Sequence, residues 1–259
     1  MSPISNQQLK TIVITGGASG IGLETAKMLL ETQKYRLAII GKEEAKLKEA
    51  VESLDASPDL VTYYACDLRD STQIKKTVEK ITATHKGIYA LVNNAGIYPF
   101  GGITNTAEKD WDEAFDVNLK AAFLMIQALV GHMKKSRDGA RIVNVSSTAG
   151  ILPNHFALAY SVSKAALIQM TRTLAKELGP SNITVNCVCP GIVKSPLHEA
   201  YHRNDAELEE FYMKRGAAFP MGRVGEPRDV GGVIKYFLSE DASWVTGDVF
   251  IVDGGRLLL

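Results

Sequence analysis

Residues Thr11–Gly22 read TIVITGGASGIG. The first five are rich in β-branched side chains, the signature of a strand. Glycines at 16, 17, 20 and 22 allow a tight turn and a close approach of backbone to a ligand. A helix that opens at Gly20 presents free N–H groups and a positive dipole end to a phosphate. Strand, glycine turn and helix start together read as the first unit of a dinucleotide-binding α/β fold. The spacing is Gly-x-x-x-Gly-x-Gly, not the commoner Gly-x-Gly-x-x-Gly. A nucleoside triphosphate loop is excluded, because Leu23-Glu24 stand where Lys and Ser/Thr are required.

The same alternation continues outward. Arg36–Ile40, Leu60–Ala65, a run ending at Leu91–Val92, Arg141–Val145, Thr184–Val188 and Val249–Val252 read as strands. Helical patterns cover Glu43–Leu54, a stretch from an Asp70 cap to Thr84, Trp111–Lys135 with a break near Asn118, Tyr160–Leu178, and Pro227–Leu238. This predicts an α/β fold: a single doubly wound, Rossmann-type domain over residues 1–259, with a parallel sheet of about seven strands and helices on both faces. Residues 196–219 break the rhythm with mixed charges and aromatics, and are expected to form a helical lid over the substrate.

The chain has 259 residues, 46% hydrophobic and 22% charged, which excludes a disordered chain. Lys+Arg and Asp+Glu both number 29, so the basic surplus of a nucleic-acid binder is missing and no such partner is expected. Three cysteines in a chain this long form no disulfide framework, and Cys187-x-Cys189 lacks a second ligand pair, so no metal is expected. Met1–Lys10 lacks an apolar signal core. No apolar run approaches the ~18 residues of a membrane span. A cytoplasmic protein with no membrane partner is the expectation.

Two further motifs carry chemistry. Asn93-Asn94-Ala95-Gly96 follows the fourth strand, at the sheet edge where ligands bind. Tyr160-x-x-x-Lys164 puts a phenol and an ammonium one turn apart on one helix face. A positive charge at ~5 Å, with an effective dielectric near 20, stabilises a phenolate by about 3 kcal/mol, or roughly two pKa units. Ser146-Ser147 ends the strand just before, in a position to donate a hydroxyl.

Thr15–Gly22, Asn93–Gly96, Ser147, Tyr160-x-x-x-Lys164, Pro190-Gly191 and Asp253-Gly254-Gly255 occur in one order from about Lys10 to Gly255. In this they resemble the short-chain dehydrogenase/reductases. The resemblance implies an NAD(P)-dependent oxidoreductase that interconverts a secondary alcohol and a ketone. It implies Ser147 as the residue that polarises the substrate oxygen and Tyr160 as general acid/base. Lys164 would hold the nicotinamide ribose and lower the tyrosine pKa, and Asn118 would anchor a water in the proton relay. Ser146 becomes a structural neighbour. Cofactor contacts carry over to Gly16, Ser19, Ile21, Asp67, Leu68, Asn94, Ala95, Gly96, Pro190, Gly191, Val193 and Ser195, beside Tyr160 and Lys164. Of these, Asp67 would meet the adenine amine.

An acidic residue at the end of the second strand would select NAD. That position is Gly41, followed by Lys42, which can meet a 2′-phosphate, so NADP is favoured over NAD. The resemblance also implies a homotetramer built on Trp111–Lys135 and Tyr160–Leu178. The small-molecule alcohol or ketone is left open, with a 3-oxoacyl thioester as one alternative. Tyr98, His155, His198 and Tyr201 are candidate substrate contacts with Ser147. A catalytically idle dinucleotide-binding regulator is a reading of another class, disfavoured by the intact Asn118, Ser147, Tyr160 and Lys164 set. A serine hydrolase is excluded, because Ser146 and Ser147 lack the Gly-x-Ser-x-Gly elbow.

Overall fold

The computed structural model describes residues 9–85, 87–199 and 204–259. Seven strands form one sheet: β1 Lys10–Thr15, β2 Tyr35–Gly41, β3 Val61–Ala65, β4 Ile88–Asn93, β5 Ala140–Val145, β6 Ile183–Pro190 and β7 Val249–Val252. Their order is β3-β2-β1-β4-β5-β6-β7, and every pairing is parallel. This is the doubly wound sheet that the sequence predicts. Side chains alternate between two buried faces. Ile12, Ile14, Leu37 and Ile39 join one apolar cluster, whereas Val13, Ala38 and Ile40 join the other.

Helices cover both faces, which is why the central strands are apolar on both sides. α1 (Gly20–Leu30), α2 (Glu44–Ser53) and α9 (Pro227–Leu238) lie over the first cluster, contributing Leu29, Leu47, Val230, Ile234 and Phe237. α3 (Ser71–Thr84), α5 (Ala121–Met133) and α6 (Leu158–Leu178) lie over the second, contributing Ile74, Ile81, Met125, Leu129 and Leu178. Each such side chain, fully buried, is worth about 1.5–3 kcal/mol relative to exposure. Local signals set the helix starts. Asp70 accepts from the Thr72 and Gln73 N–H groups, and α9 opens on Pro227 inside a Glu226/Asp229 capping box.

The long helical stretch departs from expectation at its start. α4 (Glu108–Phe115) begins three residues before Trp111, after the extended Ala107, which offers no side-chain cap. The break near Asn118 is real. Asp116–Lys120 is a π-turn, after which α5 continues. The expectation about apolar runs needs correction too. The 26 residues Glu108–Met133 have the length and composition of a membrane-crossing helix. In the fold, Ala121, Ala122, Met125, Ile126, Leu129 and Met133 form a buried face against the sheet, which explains the apolar content of α5.

The excursion is helical as read: α7 Pro196–Glu199 and α8 Asp205–Ala217, the latter capped by Asn204. Tyr212, Phe219 and Val224 form a small buried cluster of their own beneath it. Tyr201, the candidate substrate contact in this segment, lies outside the described residues.

Candidate functional site

β1 and β4 are neighbours at the point where the strand order reverses, the place where ligands bind in open α/β sheets. A cavity of about 370 Å³ opens at their C-terminal ends. Gly16, Ser19 and Ile21 line it from the glycine loop, and Asn94, Ala95 and Gly96 from the end of β4. Ser147, Tyr160 and Lys164 form its inner wall, while Pro190, Gly191, Val193 and Ser195 close the β6 side.

The loop suits a pyrophosphate. The Ser19 side chain makes no capping bond, and no acidic residue stands in the first turn of α1, so the helix N-terminus is uncapped. Glycine is obligatory here: a Cβ on Gly22 would stand 2.2 Å from the Gly16 carbonyl oxygen. Gly16 itself has φ +64, in the left-handed region. Asn94 turns inward to hold this loop, its Nδ2 donating to the carbonyls of Thr15 (3.2 Å) and Gly16 (3.0 Å). These residues fit a dinucleotide.

A second cavity of about 540 Å³ adjoins the first, and Tyr98, Ser147, Tyr160, Gly191, Leu197 and His198 line both. Tyr160 thus stands at the junction with Ser147, whose Oγ accepts from the Ala149 N–H at 3.1 Å. Ser146, by contrast, donates to the Lys164 carbonyl at 2.8 Å and anchors α6 to β5. Asn118 is fully engaged. Its Oδ1 accepts from the Ile97 N–H at 2.8 Å, and its Nδ2 donates to the Ile97 carbonyl and to Ser163 Oγ, both at 3.0 Å. Gly96 leaves room for this group and for Lys164; a Cβ there would stand 3.2 Å from Asn118 Oδ1 and 3.3 Å from Lys164 Nζ.

His155 and His198 both line the second cavity with Tyr98. Lys42, Asp67 and Leu68 do not line either cavity; they follow β2 and β3 on the same sheet edge. Leu68 is packed into the core. Both Asp67 oxygens are occupied by Arg69, at 2.6 to 3.2 Å, and Lys42 Nζ is 3.5 Å away. Arg69 holds the Asp67 carboxyl well below the usual carboxylate range. The carboxylate expected at the adenine is therefore committed to a guanidinium two residues along the chain. Asn154, Arg215 and Arg256 also belong to the site and escape the sequence reading. Asn154 donates to the Tyr98 hydroxyl at 2.9 Å, and the two arginines line the second cavity. Arg256 follows the Asp253-Gly254-Gly255 motif directly, which is the one available signal.

A family model described as enoyl-(acyl carrier protein) reductase matches residues 16–256. The chain belongs to the short-chain dehydrogenase/reductases. It is 40% identical to the 3-oxoacyl-[acyl-carrier-protein] reductase FabG of Thermotoga maritima, over 96% of this chain and 98% of that protein. It is 36% identical to human dehydrogenase/reductase SDR family member 4, over 98% of this chain and 88% of the relative. Two solved structures superpose along nearly their whole length. ElxO with NADP bound has 28% identity and a TM-score of 0.87, covering 97% of this chain and 100% of that one. Levodione reductase has 26% identity and a TM-score of 0.88, covering 95% and 97%. The protein is accordingly an NAD(P)-dependent oxidoreductase acting on CH–OH or C=O groups.

Electrostatics at Tyr160 and Lys164 run against the expectation drawn from their spacing. The two do share a helix face, but Lys164 Nζ donates to the Val145 carbonyl at 2.8 Å and stands 5.7 Å from the Tyr160 ring centroid. Both side chains are buried, Tyr160 at 6% and Lys164 at 3% exposure. Loss of solvent dominates: burial pushes the Tyr160 phenol up to about 12 against the opposing influence of the nearby Ser147 hydroxyl, and pushes the Lys164 ammonium down to about 8. The phenol therefore holds its proton at neutral pH, and the ammonium keeps most of its charge there.

The lysine shift has a stability consequence with a definite sign. Folded Lys164 loses its proton near pH 8, whereas the unfolded side chain keeps it to 10.5. Stability should therefore rise with pH across this window, because the unfolded state binds more protons. Measured by urea melts, wild type should gain up to about 3 kcal/mol over Lys164→Met between pH 8 and 10.5. A pH-independent difference between the two proteins would show that the ammonium is not desolvated.

Proposed function

We propose that the enzyme interconverts a secondary alcohol and a ketone, with Tyr160 as proton donor in reduction and acceptor in oxidation. The observation that carries this reading is that Tyr160 and Ser147 stand together at the junction, each lining both cavities. Substrate enters the second cavity and directs its oxygen to this pair. Ser147 Oγ donates to the oxygen and polarises it, and the Tyr160 hydroxyl delivers the proton. A phenol pushed up to about 12 is fully protonated at neutral pH and suits the donor role.

The uncapped α1 terminus, Asn94–Gly96 and Pro190–Ser195 would hold the dinucleotide, which would supply or accept the hydride when bound, and Lys164 would orient its ribose hydroxyls. Asn118, fixed by Ile97 and Ser163, is a positioning residue for the water of the proton relay. Leu197 and His198 of the helical excursion cover the junction. A 3-oxoacyl thioester is the second substrate reading, favoured by the 40% identity to a 3-oxoacyl-[acyl-carrier-protein] reductase.

Tyr160→Phe keeps the ring packing and removes only the hydroxyl. Turnover of ketones, followed at the reduced-nicotinamide absorbance, should fall by ~10²–10⁴-fold, while cofactor binding by fluorescence persists. Turnover near wild type would remove Tyr160 from the mechanism. A substrate panel holding simple ketones and 3-oxoacyl thioesters separates the two substrate readings.

NADP is the preferred cofactor in this reading. Its support is Gly41 in the position at the end of β2 where an acidic residue would select NAD, and two cations beyond it, Lys42 and Arg69, which share Asp67 as their partner. The Lys42→Glu variant should lower the ratio of kcat/KM for NADP over NAD by at least about tenfold, or 1.4 kcal/mol. An unchanged ratio would mean that Lys42 does not meet the phosphate.

Assembly as a homotetramer is supported by apolar side chains left on two outer faces. Phe123 and Val162 lie outward on α5 and α6, and Phe250, Ile251 and Trp244 lie outward at and beside β7. Light scattering at micromolar concentration should give four times the chain mass, and a monomer would overturn the assembly.

A further inference from the structure

We propose that the second cavity selects an oxo or hydroxy substrate that carries a carboxylate on an otherwise apolar body, and that Arg256 and Arg215 bind that carboxylate. The proposal rests on the reading of Tyr160 as the proton donor and adds the substrate class. The cavity is walled by apolar side chains, among them Phe100, Leu152, Phe156 and Leu197. Against this wall stand two guanidinium groups, and among the described residues no Asp or Glu lines either cavity.

Neither arginine has a carboxylate within ion-pair distance among the described residues. Cations close by in sequence do: Lys214 pairs with Glu210 at 2.6 Å, and Arg223 with Asp229 at 2.6 Å. The acid beside Arg256 is already committed, since the Asp253 carboxylate accepts from the N–H groups of Gly255 (2.9 Å) and Leu257 (2.8 Å). Arg256 is instead held toward the reacting centre. Its Nη1 donates to Thr148 Oγ1 at 3.2 Å, and Thr148 is buried beside Ser147. Arg215 reaches the same cavity from α8, its guanidinium 5.5 Å from the Phe211 ring centroid. Both charges are felt at the Tyr98 phenol, whose ring lies 4.5 Å from that of Tyr160.

Two cations facing one apolar, carboxylate-free cavity are poorly neutralised by the protein. Arginine's planar fork matches a carboxylate through two parallel hydrogen bonds, and at the half-buried Arg256 reduced solvent screening strengthens the pair. Arg256 is hydrogen-bonded to the residue next to Ser147 and lines the same cavity as Ser147 and Tyr160, so the anion site and the reacting pair share one cavity.

Two measurements on the full chain test this. Calorimetric titration with 4-phenylbutyrate and with 4-phenylbutanol reads the anion preference without turnover. Wild type should bind the acid at least tenfold more tightly. Arg256→Met should reduce the preference to threefold or less, Arg256→Lys should restore part of it, and Arg215→Met should lower it independently from an exposed helical position. Raising the salt concentration should weaken the acid alone. Separately, kcat/KM for 4-oxo-4-phenylbutyrate should exceed that for its methyl ester tenfold in wild type, and this ratio should collapse in both methionine variants. Equal binding of acid and alcohol, or a preference that survives both variants, would overturn the proposal. If the acid binds as described but no ketone is reduced, the anion site stands and the reading of Tyr160 falls instead.

Discussion

Two glycines in contact set the geometry on which everything else depends. Gly22 lies so close to the carbonyl of Gly16 that one extra carbon would stand 2.2 Å from it. This contact brings the start of α1 down onto the end of β1, at the point where the sheet changes direction. The polar side chains around it serve the same end. Thr15 Oγ1 accepts from the N–H groups of Asn94 and Ala95, and Asn94 donates back to the loop. The uncapped helix terminus is thereby fixed rather than left to fluctuate, and it opens onto the first cavity beside Gly16, Ser19 and Ile21.

Beyond the floor, the site is governed by solvent exclusion more than by pairwise charge. Tyr160 and Lys164 sit one turn apart, yet burial moves the phenol up and the ammonium down, away from each other in protonation energy. The lysine meets this cost partly through its hydrogen bond to Val145. A buried tyrosine that keeps its proton is in the protonation state that the proposed donor role requires. In the reverse direction it needs a positive charge brought alongside.

The sequence carries the fold well because its signals are local. β-branched runs bounded by glycine, the Asp70 cap and the Pro227 helix start are each decided within a few residues. The start of α4 lacks such a signal, since Ala107 offers no cap, and the apolar pattern alone starts the helix three residues late. Site positions are readable where a motif carries them. What spacing cannot give is direction and environment. The interval from Tyr160 to Lys164 says that they are neighbours, but not that the ammonium turns to Val145 or that both are dry. Arg69 lies two residues from Asp67 in plain view, but only the folded loop shows that it takes both oxygens. Arg215 and Arg256 come from separate segments, and no local pattern pairs them.

The π-turn at Asp116–Lys120 divides one long helix into two parts with different azimuths. A residue advances an α-helix by about 100°, so one extra residue in a turn rotates the later part of the helix relative to the earlier part. Ala114 before it and Met125, Leu129 and Met133 after it are all buried. The inserted turn carries Asn118, directed at Ile97 and Ser163. Residue count within this segment is therefore structural information in its own right. The helix carries a phase, a quantity that side-chain replacements leave in place and that the loss of one residue would erase.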